Sequence, residues 1–222
     1  ANMDVTAMKP IADGFMKKYP GVKATTVHFS GAAIITRIET ESRVGKPLSD
    51  VVLSGQLGVL AAIEKRIALR YRSPERDALR ESFRDKDGLW TTYMTNVMVS
   101  AYNTKLVKKD ELPRAIDDLL KARWKNKLVM DSQSYVWFGA IMQLLGEDNG
   151  LRFMRRLNEQ NLQHSRGRRL MTQLLAAGEH ELAVETNLNS VLSLSRQGAP
   201  LGFAPIQPYF LSPSLMFMSA NA

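Results

Sequence analysis

The sequence predicts an α/β protein folded into two lobes. Strand-like and helix-like segments alternate along most of its 222 residues, which is typical of a mostly parallel sheet covered by helices on both faces. A long segment rich in Thr, Val, Tyr and Met, residues 90–102, divides two such alternating runs. The second run ends at Pro205, Pro208 and Pro213, where we expect the chain to return to the first lobe.

The first alternating run opens with an amphipathic helix, since the apolar residues of 3–18 recur at helical spacing and Pro20-Gly21 then interrupts the pattern. Short β-branched or apolar stretches and Ser-Gly turns follow. The predicted elements are, in order, a helix at 3–18, an extended strand at 22–29, a helix from Ser30-Gly31 to residue 44, a strand at 50–53 and a helix at 57–69.

The second run repeats the same order after the long strand. Pro113 favours the start of a short helix, and Ser132 or Ser134 is a natural N-cap for the apolar helix that follows. The predicted elements are, in order, a strand at 90–102, a short helix at 113–120, a strand at 127–130, helices at 135–145, 148–160 and 166–177, a strand at 181–184, a helix from Asn187 and a strand at 201–204.

The composition narrows the function. The net charge of +8 and pI near 9.8 are typical of proteins with anionic partners, and DNA binding would then depend strongly on salt. The basic residues are nevertheless spread along the chain, and their densest cluster, Arg166, Arg168 and Arg169, has no interleaved aromatic residues for base stacking. We therefore expect no nucleic-acid partner, although the basic surface would attract anionic solutes.

Catalytic and metal motifs are missing from the sequence. It has no cysteine, which excludes thiol catalysis and disulfides, and no apolar run reaches the roughly 20 residues of a membrane helix. None of His28, His164 and His180 has zinc-site spacing or a triad context. We therefore expect no enzyme, no catalytic residues, no metal and no cofactor, although His28, at the end of a predicted strand, stays open as a ligand or general base.

Ligands of open α/β sheets bind beyond the carboxyl ends of the strands. Four predicted turns occupy that position and bring hydroxyls, amides and helix N–H groups together, which favours a polar or anionic ligand. These turns are 29–31, 53–55, 130–135 and 184–187.

Several stretches, in this order, resemble one family. They are FMKKYPGVK at 15–23, SDVV at 49–52, AYNTKLV at 101–107, WKNK at 124–127, GEHELAV at 178–184 and GAP at 198–200. Together they are similar to extracellular solute-binding proteins of ABC importers, and the branch they resemble most is the ferric-iron-type family 1 proteins of the type II periplasmic binding protein fold.

That resemblance implies two lobes joined by crossing hinge strands, with the ligand held between them and delivered to a membrane permease. It implies a periplasmic monomer whose signal peptide has been removed. By position, lobe one holds residues 1–96, lobe two 97–204, and 205–222 returns to lobe one. Members also begin with a strand before the first helix and continue for several helices beyond this chain's last residue, and both pieces look missing here.

The resemblance does not extend to the residues that bind iron in this branch of the family. Iron-binding members place adjacent tyrosines after the strand that follows the Gly-Glu pair, whereas this chain reads Glu-Thr-Asn-Leu-Asn at 185–189. The turn after residue 53 likewise offers no iron-binding acid. We therefore favour a small polar organic solute, anionic in character. Ferric iron stays the alternative, with Glu185, His28 or a synergistic anion as its ligands.

The predicted ligand-binding residues are polar or small and lie in the turns and on the crossing strand. For Ser134 and Asn187, a role as helix N-caps is an equally good interpretation. The predicted set is Ser30, Gly31, Ser54, Gly55 and Gln56 from lobe one, Tyr93 and Asn96 from the crossing strand, and Ser132, Ser134, Tyr135, Thr186 and Asn187 from lobe two.

Overall fold

A computed structural model describes residues 5–29, 33–45 and 48–220. The chain forms two compact units. Unit one contains Ala1–Thr95 and Pro213–Ala222, and unit two contains Asn96–Ser212. No helix of the described residues is long and apolar enough to cross a membrane.

Unit one packs helices on antiparallel strands. Strand β8 pairs antiparallel with both β1 and β2, with Val52 opposite Phe217 and Ala68 opposite Ser219. The described elements are α1 (Val5–Lys18), α2 (Ala33–Arg43), β1 (Val51–Ser54), α3 (Gln56–Glu64), β2 (Ala68–Leu69), the first part of β3 (Thr91–Asn103) and the last part of β8 (Phe210–Ser219). The chain passes between the units within β3 and again within β8.

The core of unit one forms where α2 covers these strands. Ile34, Ile35 and Ile38 lie on one face of α2 because their spacing matches the helical repeat, and all three are buried in a cluster with Val52 and Phe217. Helix α1 forms as predicted, but its apolar face is not packed into a core, since the side chains of Ile11 and Phe15 are exposed.

Unit two is built on three parallel strands. Strand β4 pairs parallel with β5 and with β6, and Val129 lies beside both Gln163 and Ala183. Strand β3 pairs antiparallel with β6 and β7. The described elements are β4 (Leu128–Asp131), α4 (Tyr135–Leu145), α5 (Glu147–Asn158), β5 (Gln163–Ser165), α6 (Arg168–Ala177), β6 (Leu182–Asn187), α7 (Leu188–Arg196) and β7 (Leu201–Phe203).

Both faces of the unit-two sheet are covered. Successive strand residues point to opposite faces, and β6 shows this directly. Leu182 and Val184 pack in a cluster with Trp124, whereas Ala183 packs in a second cluster with Leu175. A strand buried on both faces reads as a near-continuous apolar run, and this is why the sequence pattern predicted a strand here.

Several predicted elements were wrong. Residues 22–29 form no strand, although their β-branched residues favour extended backbone. Strand β8 was missed because Pro213 read as a loop signal, and the short β5 was missed too. The helix predicted at 113–120 is a 3-10 turn at Ile116–Leu120. The sheet was predicted to be mostly parallel, yet the described parallel pairs are confined to β4, β5 and β6.

Gly202 lies against a buried aromatic ring, and its replacement is expected to destabilise unit two. A Cβ at this position would lie 2.7–2.9 Å from three atoms at the end of the Tyr102 side chain, which is itself buried. We expect Gly202→Ala to lower the free energy of unfolding by about 1–3 kcal/mol. Gly139→Ala is the control, since its Cβ meets nothing within 4 Å and helix propensity should make it neutral or stabilising. Urea unfolding of both variants measures the difference, and equal effects would contradict the packing argument.

Candidate functional site

The candidate site lies at one edge of unit two, where β4, β5 and β6 end. Because these strands are parallel, their carboxyl ends share one edge of the sheet. Each is followed by a helix that begins at that edge. Helix α4 begins after Ser134, α6 after Gly167 and α7 after Asn187.

These three helices begin without a side-chain cap. The N-cap residues Ser134 and Asn187 make no side-chain hydrogen bond to the first turn of their helices, as far as the described residues show, and the N-cap residue Gly167 has no side chain to make one. The first-turn N–H groups of a helix have no partner within the helix, and the helix dipole adds positive potential there. Three helix N-termini at one edge therefore favour an anion.

A buried carboxylate organises the loops beneath this edge. Glu185 of β6 is 1% exposed, and its two oxygens accept hydrogen bonds from different segments. The Ser134 hydroxyl donates to Oε1, and Arg168 Nε donates to Oε2 at 2.9 Å. A buried carboxylate is costly without such partners, so the charge of Arg168 and the Ser134 hydroxyl account for its presence in the core.

Asp131 of β4 provides a second buried acid at the same edge. Its Oδ1 accepts from the backbone N–H of Gly167 at 3.0 Å and of Gln133 at 3.2 Å. Arg168 Nη1 lies 3.9 Å from its Oδ2. The loop after β5 and the loop after β4 are thus both held by Asp131, and the Ser132 N–H donates to the Ser165 carbonyl at 2.9 Å as a further link.

Five of the predicted ligand residues lie at this edge, with different environments. Ser132 and Tyr135 are exposed, and Asn187 is half-buried. Thr186 is fully buried, and its hydroxyl lies 2.8 Å from the Thr172 hydroxyl of α6. Because this hydroxyl is already used inside the core, Thr186 is not among the ligand contacts that we propose.

The alternative that Ser134 and Asn187 are helix N-caps is confirmed for their positions, but neither side chain makes the cap hydrogen bond. Ser134 occupies the N-cap position of α4, but its buried hydroxyl donates to Glu185 and makes no cap hydrogen bond. Asn187 likewise occupies the N-cap position of α7 without a side-chain cap. Local sequence predicted the positions correctly, and the long-range partner of Ser134 decided the role of its side chain.

The remaining predicted ligand residues lie away from this edge of unit two or outside the described residues. Ser30 and Gly31 lie outside the described residues. Ser54 is buried at the end of β1, Gly55 is the N-cap residue of α3, and Gln56 is exposed in its first turn. Asn96 is half-buried within β3.

Tyr93, on the unit-one part of β3, has a perturbed phenol. Burial raises the pKa of the Tyr93 phenol above its usual value, and a hydrogen bond with the Ser214 side chain offsets part of that effect. The phenol therefore stays protonated at neutral pH, as a neutral hydrogen-bonding group.

Sequence reasoning missed the role of the buried acids. Glu185 was considered only as an iron ligand, and Arg168 only as part of a basic cluster. The available signal was the polar residue at the end of each apolar strand, Asp131 in one and Glu185 in the other. His28 follows no strand and is exposed. The described residues contain no group of three His, Cys, Asp or Glu side chains placed to hold a metal ion.

Removing the Ser134 hydroxyl is expected to destabilise unit two. Hydrogen bonds to charged groups contribute about 1.5–3 kcal/mol, and Ser134→Ala deletes one that Glu185 accepts. We expect a loss of that size in the free energy of unfolding. Ser132→Ala is the matched control, because that side chain is exposed and should lose less than about 0.5 kcal/mol. Equal losses in urea unfolding would show that the bond to Glu185 contributes nothing.

Comparison with known proteins agrees with this architecture. Residues 47–189 match the family described as bacterial extracellular solute-binding protein. Similar solved structures include iron-bound HitA from Pseudomonas aeruginosa (16% identity, TM-score 0.83), AfuA from Actinobacillus pleuropneumoniae with fructose-6-phosphate (22%, 0.81) and a ferric binding protein from Campylobacter jejuni (19%, 0.82). Each match covers 100% of this chain and 72–75% of the other.

These likenesses confirm the predicted α/β periplasmic binding protein fold, and at such identities they show the fold alone. A comparison with curated proteins gave no match. The family match covers well over half of the sequence and confirms the resemblance found in the sequence. The chain belongs to the bacterial extracellular solute-binding proteins.

Proposed function

We propose that this protein captures a small, polar, anionic organic solute for an ABC importer, and that the carboxyl edge of unit two supplies part of the binding site. The observation that carries the proposal is the meeting of three helix N-termini without side-chain caps at that edge. Their N–H groups and positive potential suit a carboxylate or phosphate group on the solute.

The basic residues around α6 support an anionic ligand. Arg166 and Arg169 are exposed beside the N-terminus of this helix. Arg168 is turned inward to Glu185, so its charge is balanced within the protein. The net charge of +8 adds long-range attraction for anions, which raises their association rate. The solute is therefore expected to meet a positive edge with several N–H donors.

Ferric iron is the weaker candidate. Iron prefers hard, anionic oxygen ligands, whereas the residues after β6 are Asn187, Leu188 and Asn189. Both oxygens of Glu185 already accept hydrogen bonds, from Ser134 and Arg168. Two of the similar structures are named as iron-bound or ferric binding proteins, and a third holds fructose-6-phosphate. Of these two ligand types, the donors at this edge match the phosphorylated one better.

The rest of the proposal follows from family membership. Bacterial extracellular solute-binding proteins act outside the cytoplasm. We place this protein in the periplasm, as a monomer that delivers its ligand to a membrane permease and catalyses no reaction. Ser132, Tyr135 and Asn187 are the proposed unit-two contacts. Ser54, Gly55, Gln56, Tyr93 and Asn96 stay proposed contacts as well.

A thermal-shift panel tests the ligand class. The panel contains ferric chloride with and without citrate, organic acids, phosphorylated sugars, phosphonates, polyamines and neutral sugars. A ligand at about 100 times its Kd stabilises the native state by about 2.7 kcal/mol, which for a chain of this size corresponds to roughly 5–11 °C in Tm. A shift with organic acids or phosphorylated sugars is the expected result. A shift with ferric salts alone, or with polyamines or neutral sugars alone, would contradict the proposal.

A further inference from the structure

We propose that Glu185 is a positioning residue, whose buried carboxylate fixes the starting turns of α4 and α6 in the geometry that the ligand meets. This inference rests on the proposed function, because it assigns those turns to the ligand site. Glu185 itself is 1% exposed, so it acts through Ser134 and Arg168 and does not touch solvent or ligand.

The contacts of Glu185 join three segments distant in sequence. Ser134 lies 51 residues before it, at the start of α4, and Arg168 lies 17 residues before it, at the start of α6. Ser134 follows β4 and Arg168 follows β5, whereas Glu185 lies within β6. One side chain on β6, the strand between β3 and β4, therefore fixes the first residue of one helix and the N-cap residue of another.

The second buried acid strengthens this arrangement. Asp131 accepts from the Gly167 and Gln133 backbone N–H groups, which immediately precede Arg168 and Ser134. Arg168 lies near both acids, at 2.9 Å from Glu185 and 3.9 Å from Asp131. The side chains of Ser134 and Arg168 thus bond to Glu185, and the backbone N–H groups of the residues just before them donate to Asp131. The side-chain half of this attachment depends on Glu185.

The commitment of Ser134 to Glu185 also explains why α4 has no side-chain cap. A serine at an N-cap position ordinarily accepts a hydrogen bond from an N–H of the first turn. Here the hydroxyl turns inward as a donor. Glu185 therefore withholds the Ser134 oxygen from the first turn. The Tyr135 N–H donates instead to the Gln133 carbonyl at 2.9 Å, and the N–H groups that follow it, which have no side-chain cap, are the ones assigned to the ligand.

The test compares Glu185→Gln with Glu181→Gln by hydrogen–deuterium exchange of the apo protein. Glutamine keeps the size of the side chain and removes the charge that holds Arg168. Glu181 is the matched control, because it lies next to the amino end of the same strand and pairs with Arg123 at 2.7 Å and Lys127 at 3.0 Å, away from the site. We expect Glu185→Gln to speed exchange at least tenfold in both 133–138 and 166–171, and Glu181→Gln to leave both stretches within threefold of the unaltered protein.

A ligand titration gives the readout that a purely structural role would not move. Citrate, inorganic phosphate and glucose 6-phosphate are titrated into the unaltered protein by calorimetry, and the one that binds is then titrated into both variants. We expect Glu185→Gln to bind the probe at least tenfold more weakly than the unaltered protein. Each variant is measured at the same interval below its own Tm, so that a loss of stability does not count as a loss of binding. Glu181→Gln should change the Kd less than threefold.

The outcomes separate the two proposals. Unchanged exchange in 133–138 and 166–171, or a Glu185→Gln protein that binds the probe as tightly as the unaltered one, overturns the positioning role. Failure of all three probes to bind the unaltered protein counts against the anionic solute, and the exchange experiment then still decides whether Glu185 orders the two turns.

Discussion

Arg168→Leu is expected to lower the free energy of unfolding by about 3–5 kcal/mol, because it leaves a buried carboxylate without its partner charge. That carboxylate belongs to Glu185, whose side chain is 1% exposed, and Asp131 lies nearby at 4%. Urea unfolding followed by tryptophan fluorescence measures the loss. Two of the three tryptophans, Trp124 and Trp137, are buried in the core of unit two, so most of the signal reports on the affected unit.

Two further variants make this prediction specific. Lys121→Leu removes a lysine from an exposed pair with Asp118 and should cost about 1 kcal/mol or less. In Arg168→Leu/Glu185→Leu both charges of the buried pair are gone. Replacing such a pair by apolar residues is often close to neutral, so the double variant should be more stable than Arg168→Leu alone. A double variant less stable than Arg168→Leu would contradict this account of the network.

Asn187→Asp is expected to weaken binding of an anionic solute at least thirtyfold, a change of about 2 kcal/mol. Asn187 is the N-cap residue of α7 and stands half-buried at the candidate site. A carboxylate there would repel the ligand and occupy the N–H groups that would hold it. Aspartate is also a good N-cap residue, and its negative charge interacts favourably with the helix dipole. The free energy of unfolding should therefore be unchanged or rise by about 0.3–1 kcal/mol.

Opposite effects on binding and stability distinguish this result from simple damage to the fold. Asn149→Asp is the control, since it adds the same charge in the first turn of α5, away from the three strand ends. Its binding should stay within threefold of the unaltered protein. Calorimetric titration with the solute identified by thermal shift measures both variants. Equal or tighter binding by Asn187→Asp would contradict the assignment of the helix N-termini to the ligand site.

The elements predicted best are those whose local sequence agrees with their long-range packing. Helix α4 was predicted at 135–145 and is found at Tyr135–Leu145, because a polar turn precedes an apolar stretch there. Strand β6 was predicted to end at 184 but continues to Asn187. Glu185 and Thr186 read as loop residues by polarity, and only partners on α4 and α6 allow them to be buried in a strand.

The candidate site was predictable in position but not in detail. Parallel strands place their carboxyl ends together, so the turns at 130–135 and 184–187 were expected to meet, and the structure brings them together. The roles of the side chains depended on contacts that no local pattern contains. Ser134 bonds to Glu185 and Thr186 to Thr172, so one predicted ligand residue is a link in a buried network and another is core.

We expect the anionic solute to contact the N-termini of α4, α6 and α7 in unit two. Backbone amide NMR of the protein, titrated with the solute found by thermal shift, detects that contact residue by residue. Amides at 135–137, 168–170 and 188–190 are expected to show the largest unit-two shifts and to saturate together at the calorimetric Kd. Saturable binding that leaves all three stretches unshifted would contradict this expectation.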